Sequence, residues 1–278
     1  MSSPSALLSN ENNWHTTAGS ALPGQPVIYR DKDLFKDLKD SRWLQLLMYG
    51  ITGKSFNEKQ IKLLEGIWVI CSSYPEARLW NNRIAALAGT VRTTGSLGIA
   101  AAIAASEANI YGQKPAIKSI DFLTRTKENI DKGHNLKTLL ADELEIFRVI
   151  PGYGRPLIGI DERIPVLMSL AEELGYANGP YVQLAFNIEK TLLDGRWRLH
   201  MNAAGLVAAL VADQGIHARE HYLSLILCFT AGMLPCYVES ASHPEGTFLP
   251  IRCNGINYTG PQKRTWPNAN DQQNALKM

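Results

Sequence analysis

Apolar residues recur at helical spacing along most of this 278-residue chain. Helical spacing is clear at Ile61, Leu64 and Ile67, which are three residues apart, and at Trp68, four residues after Leu64. A helix-start signal at Asn57-Glu58 precedes them. No segment alternates apolar and polar residues over the length of a strand, as a half-buried strand would. The sequence therefore predicts an all-α protein with few, short strands.

Gly- and Pro-rich breaks divide the rest of the chain into further predicted helices. Two of them lie between Arg83 and Tyr111 on either side of Gly89–Gly95, and the second is rich in alanine, which lets helices approach closely. Its apolar run ends at Ser106, too soon to cross a bilayer, so no membrane segment is predicted. The other helices are expected at residues 136–148, 163–173, 182–193, 205–213 and 218–240.

Charge and cysteine usage limit the functional classes. The chain carries 28 basic and 26 acidic residues, and because no basic block stands out, no nucleic-acid partner is predicted. None of the four cysteines forms a CxxC pair, and Cys71 and Cys228 lie in apolar runs where free thiols serve as small hydrophobes. The N-terminal residues lack the pattern of a secretory signal. These features predict a protein of the cytoplasm.

Two short motifs suggest chemistry and fail on closer inspection. Gly53-Lys54-Ser55 resembles the end of a phosphate-binding loop, but Met48 stands where that loop has its first glycine. His217 and His221 match the HxxEH spacing of a zinc site without a clear third ligand, so we interpret this segment as the start of a solvated helix. No metal is predicted.

Several segments, in the right order and with the right separations, carry a resemblance to a known family. They match patterns written TGK, ADHG, PGYGH, DPR, NVDG, RxxGWL and RP…YTGP, and they lie at Ile51–Lys54, Cys71–Ala77, Val149–Arg155, Asp161–Arg163, Leu199–Leu206, Phe229–Leu234 and Ile251–Pro261. From about Val27 to Pro261 the chain resembles the citrate synthase and citryl-CoA lyase family. Its length fits the short citryl-CoA lyase form.

The resemblance implies chemistry on a CoA thioester, with substitutions at the expected catalytic positions. In the family an aspartate removes a proton, one histidine stabilises the enolate oxygen and a second polarises the partner carbonyl. Here Tyr111 falls near the first histidine, Arg155 takes the place of the second, and Ala204 replaces the aspartate. Alanine accepts no proton and arginine stays charged, whereas a tyrosine hydroxyl can donate to an oxyanion. His200 is the alternative base.

The resemblance also implies a substrate site. Its residues are Ser73, Arg163, Asn202, Phe229 and Arg252. Ser73 or a neighbour replaces the family's substrate histidine, and Phe229 replaces a carboxylate-binding arginine. Arg252 is expected to reach the site of a neighbouring subunit. The alternative for Arg155 and Arg163 is plain surface ion pairing.

The loop Pro151-Gly152-Tyr153-Gly154 is expected to line a CoA site through its backbone, because glycines permit close approach. A purely structural turn would use the same residue types.

The resemblance further implies a cleft between two helical lobes and a homodimer. The predicted large domain combines residues 25–113 and 202–265, the small domain spans 114–201, and residues 1–24 and 266–278 form flexible ends. The leading functional hypothesis is an enzyme with altered chemistry on a carboxylate or acyl-CoA, with CoA as substrate or ligand and no other cofactor. The alternatives are a non-catalytic ligand-binding or heteromer-forming relative, and conventional citrate cleavage or synthesis.

Overall fold

The computed structural model describes residues 4–13, 15–155 and 159–262. Most of this part of the chain is helical: α1 (Pro4–Ser9), α2 (Trp43–Thr52), α3 (Glu58–Cys71), α4 (Trp80–Thr90), α5 (Gly95–Ala105), α6 (Gln113–Asp131), α7 (Leu136–Phe147), α8 (Arg163–Leu174), α9 (Pro180–Asp194), α10 (Ala203–Ala212), α11 (Ala218–Leu225) and α12 (Thr230–Ser242). A short 3-10 helix follows at Cys253–Gly255. The prediction of an all-α fold is confirmed.

The described strands are short and form one small antiparallel sheet. Its strands β1 (Gly19–Ser20), β2 (Ile28–Tyr29) and β3 (Lys32–Asp33) pair in the order β1-β2-β3. Gly19 pairs with Tyr29, so part of the segment predicted as a loose arm joins this sheet.

Local capping explains where several helices begin. Asn57 accepts a hydrogen bond from the Gln60 backbone N–H while the Gln60 side chain accepts from the Asn57 N–H, a capping box that starts α3. The helices predicted from 136, 163, 182 and 205 are observed with boundaries shifted by two residues or fewer. The single helix predicted over 218–240 is wrong, because a turn at 226–229 separates α11 from α12.

The core consists of one large apolar cluster, a smaller three-helix unit and a small cluster of Ala116, Leu225 and Cys228. The large cluster draws on α2, α3 and α6–α10, and its largest fully buried side chains include Phe122, Met48, Ile120, Leu167 and Ile188. In the smaller unit, α4 packs between α12 and α5 around Ala85, Ala102 and Met233. Residues of both predicted lobes share the large cluster, and the predicted domain boundaries remain a prediction.

Helix α5 packs with one face, including Ile99 and Ile103, against the rest of the smaller unit and leaves the opposite face exposed. Gly98 and Ala102 are its buried residues, whereas Leu97 is 66% exposed. Within the described residues, one stretch is long and apolar enough to cross a membrane: Ala218–Ser242, which comprises α11, the turn at 226–229 and α12, and 44% of its most apolar window is buried inside the protein. A core helix of a globular protein has the same properties.

Candidate active site

Tyr111 lies in the short link between α5 and α6, at a meeting point of three segments. Its hydroxyl is 3.4 Å from the Ser73 hydroxyl, which belongs to the link between α3 and α4. Its ring meets the Trp80 ring edge-on, with centroids 5.6 Å apart, and lies 5.8 Å from the ring of Phe229 at the start of α12. The structure thus brings together three residues that the sequence predicted for the site: Tyr111, Ser73 and Phe229.

A buried polar network holds Ser73 in place. The Asn81 amide donates to the Ser73 hydroxyl and to the Ser106 hydroxyl, each at 3.1 Å, and all three side chains are buried. Gly232 of α12 packs so closely on Ser73 that a β-carbon there would collide with the Ser73 carbonyl oxygen. The position of the Ser73 hydroxyl is therefore fixed by helices α4, α5 and α12.

Two buried donors next to this network have no partner among the described residues. The Trp80 indole Nε1 and the Gln113 side-chain Nε2 are both buried without a hydrogen bond. Trp80 contacts the Tyr111 ring, and Gln113 follows Tyr111 by two residues at the start of α6. Because buried donors in native proteins are almost always paired, each of these two groups can accept a water or a ligand acceptor as its partner.

The surroundings of Tyr111 keep its hydroxyl protonated. Burial raises the pKa of Tyr111, and the contact with Ser73 and the charge of Arg163 offset only part of that rise. A phenol with a raised pKa remains a hydrogen-bond donor at neutral pH. The Tyr111 hydroxyl can therefore donate to a carbonyl oxygen or to an oxyanion that develops from one.

A second polar group centres on the fully buried carboxylate of Asp161, just before α8. It accepts two hydrogen bonds from the Arg163 guanidinium, at 2.9 and 2.8 Å, and one from the Ala203 backbone N–H at 2.8 Å. Burial alone would raise the pKa of Asp161, but these bonds and the arginine charge hold it at about 2. At neutral pH, Asp161 is thus an anion that ties Arg163 to the N-terminus of α10.

Arg155 extends this charged group toward the surface. Its guanidinium Nη1 donates to the Glu162 carboxylate at 2.6 Å and lies 3.9 Å from the Asp161 carboxylate. Both predicted arginines therefore have a carboxylate partner within the chain. Ion pairing, the alternative role for Arg155 and Arg163, is present, and their side chains are only 25% and 23% exposed.

The charged group lies near the Tyr111 cluster. The positive charge of Arg163 lowers the pKa of Tyr111 and of Cys71 against the effect of burial. Burial still dominates for the thiol, whose pKa is raised to about 11, so Cys71 is a neutral thiol rather than a nucleophilic thiolate. This cysteine behaves as the small hydrophobe that the sequence predicted.

The loop Pro151–Gly154 is seated on the start of α10 by its own backbone. The Gly152 carbonyl accepts from the Asn202 N–H at 2.9 Å, and the Gly154 carbonyl accepts from the Asn202 side chain at 2.9 Å. The Asn202 side-chain oxygen meanwhile caps α10 by accepting from the N–H of Ala204. Asn202 therefore positions both the loop and the helix end where Ala204 lies.

Close backbone contact explains why glycines occupy this junction. A β-carbon on Gly205 would lie 2.5 Å from the Gly152 carbonyl oxygen, and Gly152 has a φ of +87°. The Tyr153 side chain points into the core, where its hydroxyl donates to the Ala185 carbonyl at 2.8 Å. The loop is thus held rigidly, and its part in CoA binding remains a prediction.

The two remaining predicted residues lie outside these clusters. His200 has its Nδ1 3.4 Å from the Glu189 carboxylate, and its carbonyl accepts from the Gly154 N–H at 2.7 Å, which places its backbone beside the loop Pro151–Gly154. Arg252 immediately precedes the 3-10 helix in the exposed C-terminal segment. That Arg252 reaches the site of a neighbouring subunit stays a prediction, because it concerns a contact between two chains.

The HxxEH segment has a structural explanation. His217 caps α11, and Glu220 accepts from the His217 N–H at 2.8 Å and pairs with Lys54 at 3.3 Å. His221 is 2% exposed, so the prediction that this segment is solvated is wrong for this residue. Among the described residues, no group of three metal-ligating side chains is found.

Comparison with known proteins identifies the fold. No protein-family model and no curated protein sequence matches the chain. Citryl-CoA lyase from Hydrogenobacter thermophilus superposes over 96% of this chain and 100% of its own length, with a TM-score of 0.80 at 18% identity. ATP citrate lyase from Methanothrix soehngenii, solved with citrate and coenzyme A, matches 95% of this chain and 45% of its own, with a TM-score of 0.72 at 15% identity.

Citrate synthase from Thermoplasma acidophilum, solved with carboxymethyl coenzyme A and oxaloacetate, matches 83% of this chain and 60% of its own. Its TM-score is 0.62 at 14% identity. The chain therefore has the helical fold shared by citrate synthase and citryl-CoA lyase, and the resemblance predicted from its motifs is confirmed at the level of the fold. It spans the full length of the citryl-CoA lyase and about half of the two larger chains.

Proposed function

We propose that this protein is an enzyme with altered chemistry on the citrate synthase scaffold, acting on a small molecule that bears a CoA thioester or a carboxylate. The observation that carries the proposal is the protonated Tyr111 hydroxyl, 3.4 Å from Ser73. The Tyr111 ring contacts Trp80, a residue with a buried indole N–H that has no partner among the described residues. Fixed donors in a water-poor site stabilise the charge that develops on a carbonyl oxygen. In this proposal Tyr111 binds and polarises the carbonyl oxygen.

Arg155 is the second polar group of the proposed site. Its side chain is three-quarters buried, and its guanidinium donates to the Glu162 carboxylate and to the Ile160 carbonyl. An oriented guanidinium presents fixed donors to an oxygen, whereas it transfers no proton at ordinary pH. Arg155 therefore orients and polarises the substrate, and the seated loop Pro151–Gly154 lies beside it as the proposed CoA-binding segment.

Altered chemistry is proposed because the chain has no suitable proton acceptor at the position where the family has its catalytic aspartate. Ala204 offers no carboxylate, and the neighbouring carboxylate of Asp161 is fully buried and accepts four hydrogen bonds. An anion with a pKa near 2 is a poor proton acceptor. Removal of a methyl proton from acetyl-CoA would depend on another residue, for which His200 is the alternative base.

The same observations support one competing function. A relative that binds a CoA-like ligand without turnover, or that pairs with an active subunit, would also keep the loop and lack a base. Deuterium exchange into the methyl group of acetyl-CoA separates conventional chemistry from both, because only a base that removes the methyl proton produces exchange. We expect no exchange with the wild-type protein.

We further propose that the protein is a cytoplasmic homodimer with no membrane or nucleic-acid partner. Leu97 of α5 is exposed, and so are Leu234 and Val238 of α12, a helix that packs against α5, at 50% and 63%. Apolar surface of this kind commonly marks a subunit interface. The four cysteines of the described chain are all free, as expected in a reducing compartment.

The experiment that tests the proposed function is native mass spectrometry of the purified protein against a panel of acyl-CoA thioesters and carboxylates. A dimer that retains a thioester and consumes it supports the proposal. A dimer that retains the thioester unchanged supports the non-catalytic relative. Absence of any bound thioester or carboxylate contradicts both.

A further inference from the structure

We propose that the site selects CoA thioesters whose acyl group is uncharged and discriminates against acyl groups that carry a carboxylate, with Phe229 as a specificity-determining residue. This inference rests on the proposed function and names its substrate class. It depends on two independent features: the charge balance around Arg163 and the aromatic walls around Tyr111.

The charge balance leaves neither Arg155 nor Arg163 available for a substrate anion. Arg163 is bound in two places by Asp161, at 2.9 and 2.8 Å, and Arg155 is bound by Glu162 at 2.6 Å. The two positive charges are thus offset by two negative charges within the chain. A carboxylate approaching Arg163 would also approach the buried anion Asp161, and like charges close together repel strongly.

The aromatic walls favour an apolar group. Tyr111 is flanked by the rings of Trp80 and Phe229, with centroids 5.6 and 5.8 Å away, and Phe229 is itself 7% exposed. Aromatic faces gain by covering hydrocarbon and offer no countercharge to a carboxylate. The Tyr111 hydroxyl, together with Ser73, remains as the polar point that one carbonyl oxygen can meet.

Phe229 is fixed in this wall by the packing of its helix. It caps the N-terminus of α12, and Gly232, three residues later, packs directly against the Ser73 backbone. Because a β-carbon at Gly232 would collide with that backbone, the helix start has little room to move. The ring that faces Tyr111 is therefore a built part of the site, and the residue at this position decides whether the wall is apolar or charged.

The test compares glutaryl-CoA with 5-methylhexanoyl-CoA, which differ only in a carboxylate against an isopropyl group of similar shape. Titration calorimetry gives a Kd for each. We expect the wild-type protein to bind 5-methylhexanoyl-CoA at least tenfold more tightly. Phe229→Arg should reverse the order of the two Kd values, and Phe229→Leu should keep it.

A second variant serves if Phe229→Arg fails to fold. Glu162→Gln, at a side chain that is 59% exposed, removes the carboxylate charge closest to Arg155 and should narrow the ratio of the two Kd values at least threefold. The control is Glu172→Gln at an exposed site on α8. Equal wild-type affinity for the two thioesters, or a Glu162→Gln ratio equal to that of the control, overturns the inference and leaves the proposed function standing. If neither thioester binds, both fail.

Discussion

The hydroxyl groups of Tyr111 and Ser73 lie 3.4 Å apart and join two loops that are 38 residues apart in the chain. Neither loop has regular structure at this point, so the contact depends on the helices that each loop connects. Asn81 fixes Ser73 from α4, and Phe229 fixes the Tyr111 ring from α12. The proposed donor is thus positioned by the three-helix unit rather than by its own loop.

Asp161 should make the protein sensitive to acid. Its folded-state pKa of about 2 is below the unfolded value, so its stabilising contribution is complete above about pH 4 and is lost as the pH falls toward 2. The contribution is roughly 1 to 2 kcal/mol after allowance for solvent screening. Urea unfolding of wild type and Asp161→Asn between pH 5 and 2.5 measures it. An unchanged slope with pH in the variant would contradict this role.

His221 should act in a different pH window. Burial lowers its pKa to about 4 from an ordinary 6.5, so the unfolded chain takes up the proton first and stability falls as the pH drops from about 6.5 to 4. At pH 5 the loss is about 2 kcal/mol relative to pH 7.5. His221→Gln should remove most of this loss in urea unfolding at the two pH values. His134→Gln, at an exposed histidine, is the control and should behave as wild type.

Gly205→Ala should unseat the loop Pro151–Gly154. The added methyl group meets the Gly152 carbonyl oxygen, so either the loop or α10 must shift, at a cost of roughly 1 to 3 kcal/mol. We expect CoA binding by calorimetry to weaken at least tenfold. Gly255→Ala, where a β-carbon meets open space, is the matched control. Equal CoA affinity for the two variants would separate the loop from CoA binding.

Leu97→Glu should dissociate the proposed dimer. Leu97 is 66% exposed on α5, and a carboxylate buried without a partner in an interface is strongly unfavourable. Sedimentation velocity should show a dimer for wild type and a monomer for the variant at micromolar concentration. Leu22→Glu, 56% exposed in the N-terminal segment, should remain dimeric. A monomeric wild-type protein would contradict the proposal.

Much of the fold could be predicted because helical spacing and capping residues are local signals. The helix from Arg163 to Leu174, for example, begins where the prediction put it and ends at Gly175 in a left-handed cap. Helix α6 is absent from the prediction because Pro115 lies near its start and polar residues dominate it. The turn at 226–229 lies in a continuous apolar run without Gly or Pro, so no local signal marked it.

The candidate site was predictable only where a motif covered it. Tyr111, Ser73 and Phe229 were placed by the resemblance, and the structure brings them together. Asn81 and Trp80 lie between motifs and act through contacts with other segments. The adjacent amides Asn81 and Asn82 at the start of an apolar helix are the one sequence signal that could have indicated a buried polar group there. The pairing of both arginines with Asp161 and Glu162 needs distances that no sequence pattern gives.

The most direct measurement of the central claim is the rate of thioester consumption by Tyr111→Phe and Arg155→Ala, each checked as a dimer. Tyr176→Phe is the matched control. The Tyr176 hydroxyl also lies 3.4 Å from an acceptor, the Asn57 side-chain oxygen, but Tyr176 belongs to the segment after α8 and not to the proposed site. Loss of one fixed donor to a developing oxyanion typically costs about 100-fold or more in rate. We predict such a loss in both site variants and none in Tyr176→Phe. Unchanged rates in both site variants would contradict the account.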